Sequence, residues 1–137
     1  MVIMSSAALT AEAVVEAMAK EGKKVGVINI RLWRPFDMEY FISKLPKTVK
    51  NIVAMDRARD FTSNGELLYK EVLAALFKSG RIHDIKQLKN CTYGICGHDI
   101  TPGEVLACFK SFEKPELMQF RIGVNDPEAL PAEKCEL

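Results

Sequence analysis

Short apolar runs along this chain alternate with longer stretches in which apolar residues recur every three to four positions. Val2-Ile3-Met4 is an apolar stub that reads as the end of a buried strand. Beyond SSAALT, the residues Val14, Val15, Met18 and Ala19 fall at helical spacing, predicting a helix from near Thr10 to Gly22. KVGVINIRLW, residues 24–33, is rich in β-branched residues and too apolar for one solvated face, as expected of a strand covered on both sides. After Pro35, Asp37 is placed to cap a helix whose apolar residues Met38, Phe41, Ile42 and Leu45 share one face, and Pro46 ends it. Phe36 and Phe41 then stand at the two positions of a hydrophobic staple.

NIVAM, residues 51–55, is a third apolar strand, followed by the polar loop DRARDFTSNG. Ser63 and Glu66 have capping-box spacing, and Leu68, Val72, Ala75 and Leu76 carry a buried stripe to Gly80, a C′ glycine. Between Arg81 and Asp99 periodicity fades, leaving a short strand at 88–92 and a turn at YGICGHD. Thr101-Pro102-Gly103-Glu104 supplies an N-cap, a proline at the first helical position and a capping-box glutamate, with Val105, Phe109 and Phe112 on the inner face. QFRIGV, residues 119–124, reads as a last strand. Strands alternating with helices over short connections predict a three-layer α/β/α sandwich on a mostly parallel sheet. The expected organisation is a single domain over residues 1–127 and a polar tail over 128–137.

Composition changes this picture little. The 137 residues suffice for one domain with a real core. Nineteen basic against 18 acidic residues leave a net charge of +1 with no block of either sign, which gives no field for nucleic acid or an acidic membrane surface. No apolar run approaches the roughly 18 to 20 residues of a membrane span, and the opening MVIMSSAAL lacks the basic start of a signal peptide. The expected location is cytoplasmic or an organelle lumen. Cys91, Cys96, Cys108 and Cys135 do not form a disulfide framework, so free thiols are expected.

In open α/β sheets ligands gather beyond the carboxyl ends of the strands, and two such ends are charged here: Arg31 and Arg34, and Asp56-Arg57. An arginine fork suits a carboxylate or phosphate, with Asp56 orienting Arg57 or accepting from a ligand hydroxyl; the plainer reading has these groups fixing loops or a neighbouring domain. Cys91-x4-Cys96 with His98 nearby falls short of the two close ligand pairs of structural zinc. The iron–sulfur run C-x2-C-x2-C and the phosphate-binding G-x-x-x-x-G-K-[ST] are absent, and nothing places a base beside Cys96. Trp33 reads as core or cap, with interface as the alternative.

Taken together, KVGVINIRLWRPF, LPKTVKNIVAMDR, GELLYKEVLAAL, TYGICGHDITPGEVLACF and QFRIGVNDP resemble, in order over about residues 10–127, one region of the pyruvate:ferredoxin (flavodoxin) oxidoreductases. That region is domain II, the transketolase C-terminal-like domain, and the resemblance implies a five-stranded mixed sheet with one antiparallel strand. The whole enzymes decarboxylate pyruvate oxidatively with coenzyme A to acetyl-CoA, using thiamine diphosphate with magnesium and 4Fe-4S clusters and passing electrons to ferredoxin or flavodoxin. Those cofactors are implied for other domains and none for this chain, to which no catalytic, cofactor or metal residue carries over. The positions that carry over are Arg31-Leu32-x-Arg34-Pro35-Phe36, Asp56-Arg57, Gly65-Glu66-x-Leu68-Tyr69, Tyr93-Gly94 and Gly123-x-x-Asp126. From these Arg31, Arg34, Asp56, Arg57, Gly65 and Glu66 are read as domain-contact residues. The sequence ARDFTSN departs from the E-P-G-A-like loop typical there, so any contact that loop makes with coenzyme A in relatives does not transfer.

The function expected is therefore that of a non-catalytic domain within such an oxidoreductase, inactive alone and partnered by the enzyme's other domains. Two alternatives remain open: a stand-alone module for coenzyme A or a small anion, and the same domain in another 2-oxoacid oxidoreductase or a sulfite-reductase-type flavoprotein.

Overall fold

The computed structural model describes residues 1–123 and 129–135. Five strands, β1 (Val2–Met4), β2 (Ile28–Ile30), β3 (Asn51–Asp56), β4 (Gln87–Thr92) and β5 (Gln119–Arg121), form one sheet in the order β2-β1-β3-β4-β5. They alternate with helices α1 (Ala7–Lys20), α2 (Met38–Lys44), α3 (Leu67–Lys78) and α4 (Pro102–Lys110). All the strand pairings are parallel, so the antiparallel strand implied by the family resemblance does not occur among the described residues.

Side-chain alternation builds the layers. On one face Ile3, Val53, Met55, Cys91 and Phe120 meet α1 and α4; on the other Val2, Ile52, Ala54 and Leu88 meet α2 and α3. The result is the three-layer α/β/α sandwich. Ile3, Leu68, Leu76 and Ile122 are fully buried, each worth about 1.5–3 kcal/mol of transfer free energy.

Local signals place α2 and α4. Asp37 Oδ1 accepts from Tyr40 N at 2.8 Å, and the Phe36 and Phe41 rings lie 5.6 Å apart, closing the staple. Thr101 Oγ1 accepts from Glu104 N while Glu104 Oε2 accepts from Thr101 N, so both arms of the capping box form, with Pro102 opening the helix. Gly80 follows α3 in the left-handed region at φ 73°.

Three expectations are corrected. The run 24–33 contributes only three strand residues, and these are half-buried, because β2 is an edge strand with β1 as its one neighbour. Helix α1 starts at Ala7 rather than near Thr10: Ala7, Ala8 and Ala11 are buried against the sheet, and alanine barely registers in an apolar pattern. The last strand ends at Arg121, and Val124 and Asp126 lie outside the described residues.

Edge strand β5 is approached through a buried lysine. Lys89 is wholly inaccessible, and its ammonium donates to the carbonyls of Ser111 at 2.7 Å, Lys114 at 2.6 Å and Leu117 at 2.8 Å, fixing the turn between α4 and β5. Burial lowers its pKa below the usual lysine value. Beyond β5, Leu130 N donates to Arg121 O and Glu133 N to Gly103 O, so the chain passes back across the start of α4.

Candidate functional site

With this strand order the chain turns in opposite directions from β1, so the carboxyl ends of β1 and β3 are the switch point at which ligands gather in open α/β sheets. Arg31 and Arg34 follow β2, Asp56 and Arg57 close β3, and Gly65 and Glu66 precede α3. All six sequence candidates therefore stand at one end of the sheet.

Their side chains do not converge on one point. Asp56, 2% exposed, takes the first turn of α3: Oδ1 accepts from Leu68 N at 2.9 Å and Oδ2 from Tyr69 N at 3.2 Å. Burial pushes its pKa up, and those two amides pull against that shift. The carboxylate is turned toward α3, and no hydrogen bond joins it to Arg57 among the described residues. The Ser63/Glu66 capping box is likewise absent: Glu66 is the N-cap residue of α3 without a side-chain cap bond. Its buried carboxylate accepts from Asp60 N at 2.5 Å and Thr92 Oγ1 at 3.3 Å, linking the loop after β3 to the end of β4. Gly65, at φ 139°, lets the backbone pass against Tyr69, whose Cδ1 would lie 2.5 Å from a Cβ there.

The arginines divide. Arg34 Nη1 lies 3.1 Å from Glu71 Oε1 on α3, and its guanidinium stacks 3.9 Å over the Trp33 ring, so it ties the corner after β2 to α3. Trp33 meets Phe36 edge-on at 6.1 Å, continuing the packing of the staple. Arg57 donates from Nε to Gly94 O at 3.2 Å. Arg31 is exposed and forms no ion pair among the described residues.

Sequence reasoning missed two arrangements here. Asp60 braces the loop 57–66: its carboxylate accepts from Thr62 N at 3.0 Å, Thr62 Oγ1 at 2.6 Å, Ser63 Oγ at 2.8 Å and Lys70 Nζ at 3.1 Å. The Thr62 and Ser63 side chains, then Lys70, hold its pKa well below the usual carboxylate range. Asp-x-Thr-Ser is the local signal that points to such a turn. At the end of β4, His98 Nε2 pairs with the buried Glu104 at 2.9 Å, and Gly123, at φ 67°, packs on them where a Cβ would run into the imidazole.

The cysteine set read beside His98 is separated. Cys91 is buried with its Sγ 3.7 Å from Cys108 Sγ across the β4–α4 contact, and burial raises its pKa; Cys96 is exposed. Among the described residues no group of three or more His, Cys, Asp or Glu side chains is placed to share a metal ion. Among the described residues the thiols of Cys91 and Cys96 are not brought together as the ligands of an iron–sulfur cluster would be.

Fold and site together define an open, doubly wound parallel α/β domain whose carboxyl end is filled by contacts that fix its own loops. The chain matches the family model for the pyruvate:ferredoxin oxidoreductase core domain II over residues 1–105 and belongs to that family. It is 36% identical over 126 residues to a pyruvate-flavodoxin oxidoreductase of Nostoc sp., covering 91% of this chain and 31% of that sequence. A pyruvate-flavodoxin oxidoreductase of Trichormus variabilis is 34% identical with 91% and 11% covered. The mitochondrial pyruvate dehydrogenase [NADP(+)] of Euglena gracilis is 36% identical with 91% and 7% covered. The chain thus spans under a third of the first of these relatives and about a tenth or less of the other two.

Proposed function

We propose that residues 1–127 act as a non-catalytic domain of a larger pyruvate oxidoreductase, holding neighbouring domains through the carboxyl end of the sheet. The observation that carries this is the fate of the acidic candidates: Asp56 and Glu66 are buried and committed to α3 and to the loop before it. Arg31, Arg34, Arg57 and the turn at Gly65-Glu66 form the contact region. In the whole enzyme, thiamine diphosphate, magnesium and 4Fe-4S clusters sit in other domains, and pyruvate and coenzyme A yield acetyl-CoA and CO2 with electrons leaving to ferredoxin or flavodoxin. No helix of the described residues is long and apolar enough to cross a membrane.

The test is turnover. The purified chain, supplied with pyruvate, coenzyme A, thiamine diphosphate, magnesium and a flavodoxin, is expected to produce no acetyl-CoA, whereas the complete enzyme containing it does. Product formed by the 137-residue chain alone would overturn the reading.

A second reading rests on the exposed Arg31 and Arg57 at the carboxyl end of the sheet, which would make the domain a module for coenzyme A or another small anion. Calorimetry with coenzyme A separates the two: saturable binding lost in Arg57→Ala favours the module.

A further inference from the structure

Phe61, at the tip of the loop 57–66, is 87% exposed, more than any other large apolar side chain among the described residues. A single exposed phenylalanine is ordinary on a protein surface. This one differs in how it is presented. The Asp60 carboxylate beneath it gathers Thr62, Ser63 and Lys70, while Asp60 N is held by the buried Glu66. Ser63 Oγ also lies 2.7 Å from Gly65 O, and Lys70 Nζ donates to Ser63 Oγ at 3.0 Å. The tip therefore stands on a cross-linked base, which lessens the backbone entropy lost when the ring is covered.

The surroundings specify what would cover it. The Arg59 guanidinium lies 5.2 Å from the centre of the Phe61 ring, and Arg57 is exposed at the foot of the loop. Asp60 is the only acidic residue in ARDFTSN, and its charge is turned inward. Leu32, 66% exposed, and Leu67, 44% exposed, belong to the same carboxyl end of the sheet. An aromatic ring with stacked arginine is the pairing that concentrates binding energy at protein interfaces.

We infer that Phe61 and Arg59 form a preorganised docking knob whose occupant is an apolar pocket rimmed by carboxylates on another domain of the same oxidoreductase. The ring enters the pocket and Arg59 meets the acidic rim, with Arg57 and Arg31 adding positive charge that favours the acidic partner over a basic one. This rests on the domain reading above, and the chain's small share of its relatives leaves ample other sequence to supply the pocket.

The complete oxidoreductase carrying this segment is made with a photo-cross-linking benzoylphenylalanine at position 61 and, separately, at the exposed position 77 on the far end of α3. On irradiation, position 61 is expected to link to a segment of the same enzyme that contains Asp or Glu, and position 77 is not. Arg59→Glu is expected to lower the yield from position 61 about tenfold, with Arg59→Lys closer to the parent. No adduct from position 61 in an assembled, active enzyme overturns the knob while leaving the domain reading in place. A chain that never co-purifies with other oxidoreductase domains overturns both.

Discussion

At the end of β3 the carboxylate of Asp56 does the work usually done by a residue adjoining the helix, accepting from the amides of Leu68 and Tyr69. Asp56→Ala would leave those buried amides unpaired, and urea denaturation should show a loss of about 1–2 kcal/mol, in the range of removing an N-cap. Asp56→Asn keeps one acceptor and should lose less. Lys89 is the second such residue. Its ammonium holds three carbonyls, so Lys89→Met strands three acceptors in an enclosed site and should cost about 3 kcal/mol by the same measurement. Neither role was legible in the sequence: Asp56 lies 12 residues from Leu68, and Lys89 reaches Ser111 across 22 residues. A charged residue in an apolar strand signals that a partner exists, but only the fold says which.

Elements whose signals are local were readable. The turn into α2 and the start of α4 are each written within a few residues, as Phe36-Asp37 to Phe41 and Thr101 to Glu104, and both form. Where the deciding contact is remote the pattern misled: Ser63-x-x-Glu66 has the right spacing, yet Ser63 faces Asp60 and Glu66 faces Thr92. The carboxylates of the loop between β3 and α3 and of the sheet should respond to acid at different pH. The ionised form of Asp60 is favoured in the fold, so its contribution is present above the unfolded carboxyl pKa of about 3.9 and is lost as pH falls below it. Asp56 works in the opposite sense, because its raised pKa makes protonation on acidification favour the fold. Amide resonances of Thr62 and Ser63 should therefore hold through the usual carboxylate range and shift only in stronger acid, after those of Leu68 and Tyr69 have followed Asp56. Arg34 ties elements together more weakly. With its side chain 52% exposed, Arg34→Ala in the isolated chain should change stability by less than about 1 kcal/mol.

For the molecule as a whole, order β2-β1-β3-β4-β5 and uniform parallel pairing place every sequence candidate at one end, which is why the strand-end argument found the region though not the contacts within it. Calorimetric melting of the isolated chain should give one cooperative transition, since both apolar clusters draw on the same strands β1, β3 and β4. Separate transitions would show that the two faces fold independently. The capping of α3 by the central strand carries this coupling to individual protons. A helix capped by its own neighbour frays from the end, and its first amides exchange with deuterium long before the interior opens. Leu68 and Tyr69 are held by a carboxylate on β3, so their amides should exchange on the slow schedule of the sheet, leaving α3 with no early-opening end at Asp56.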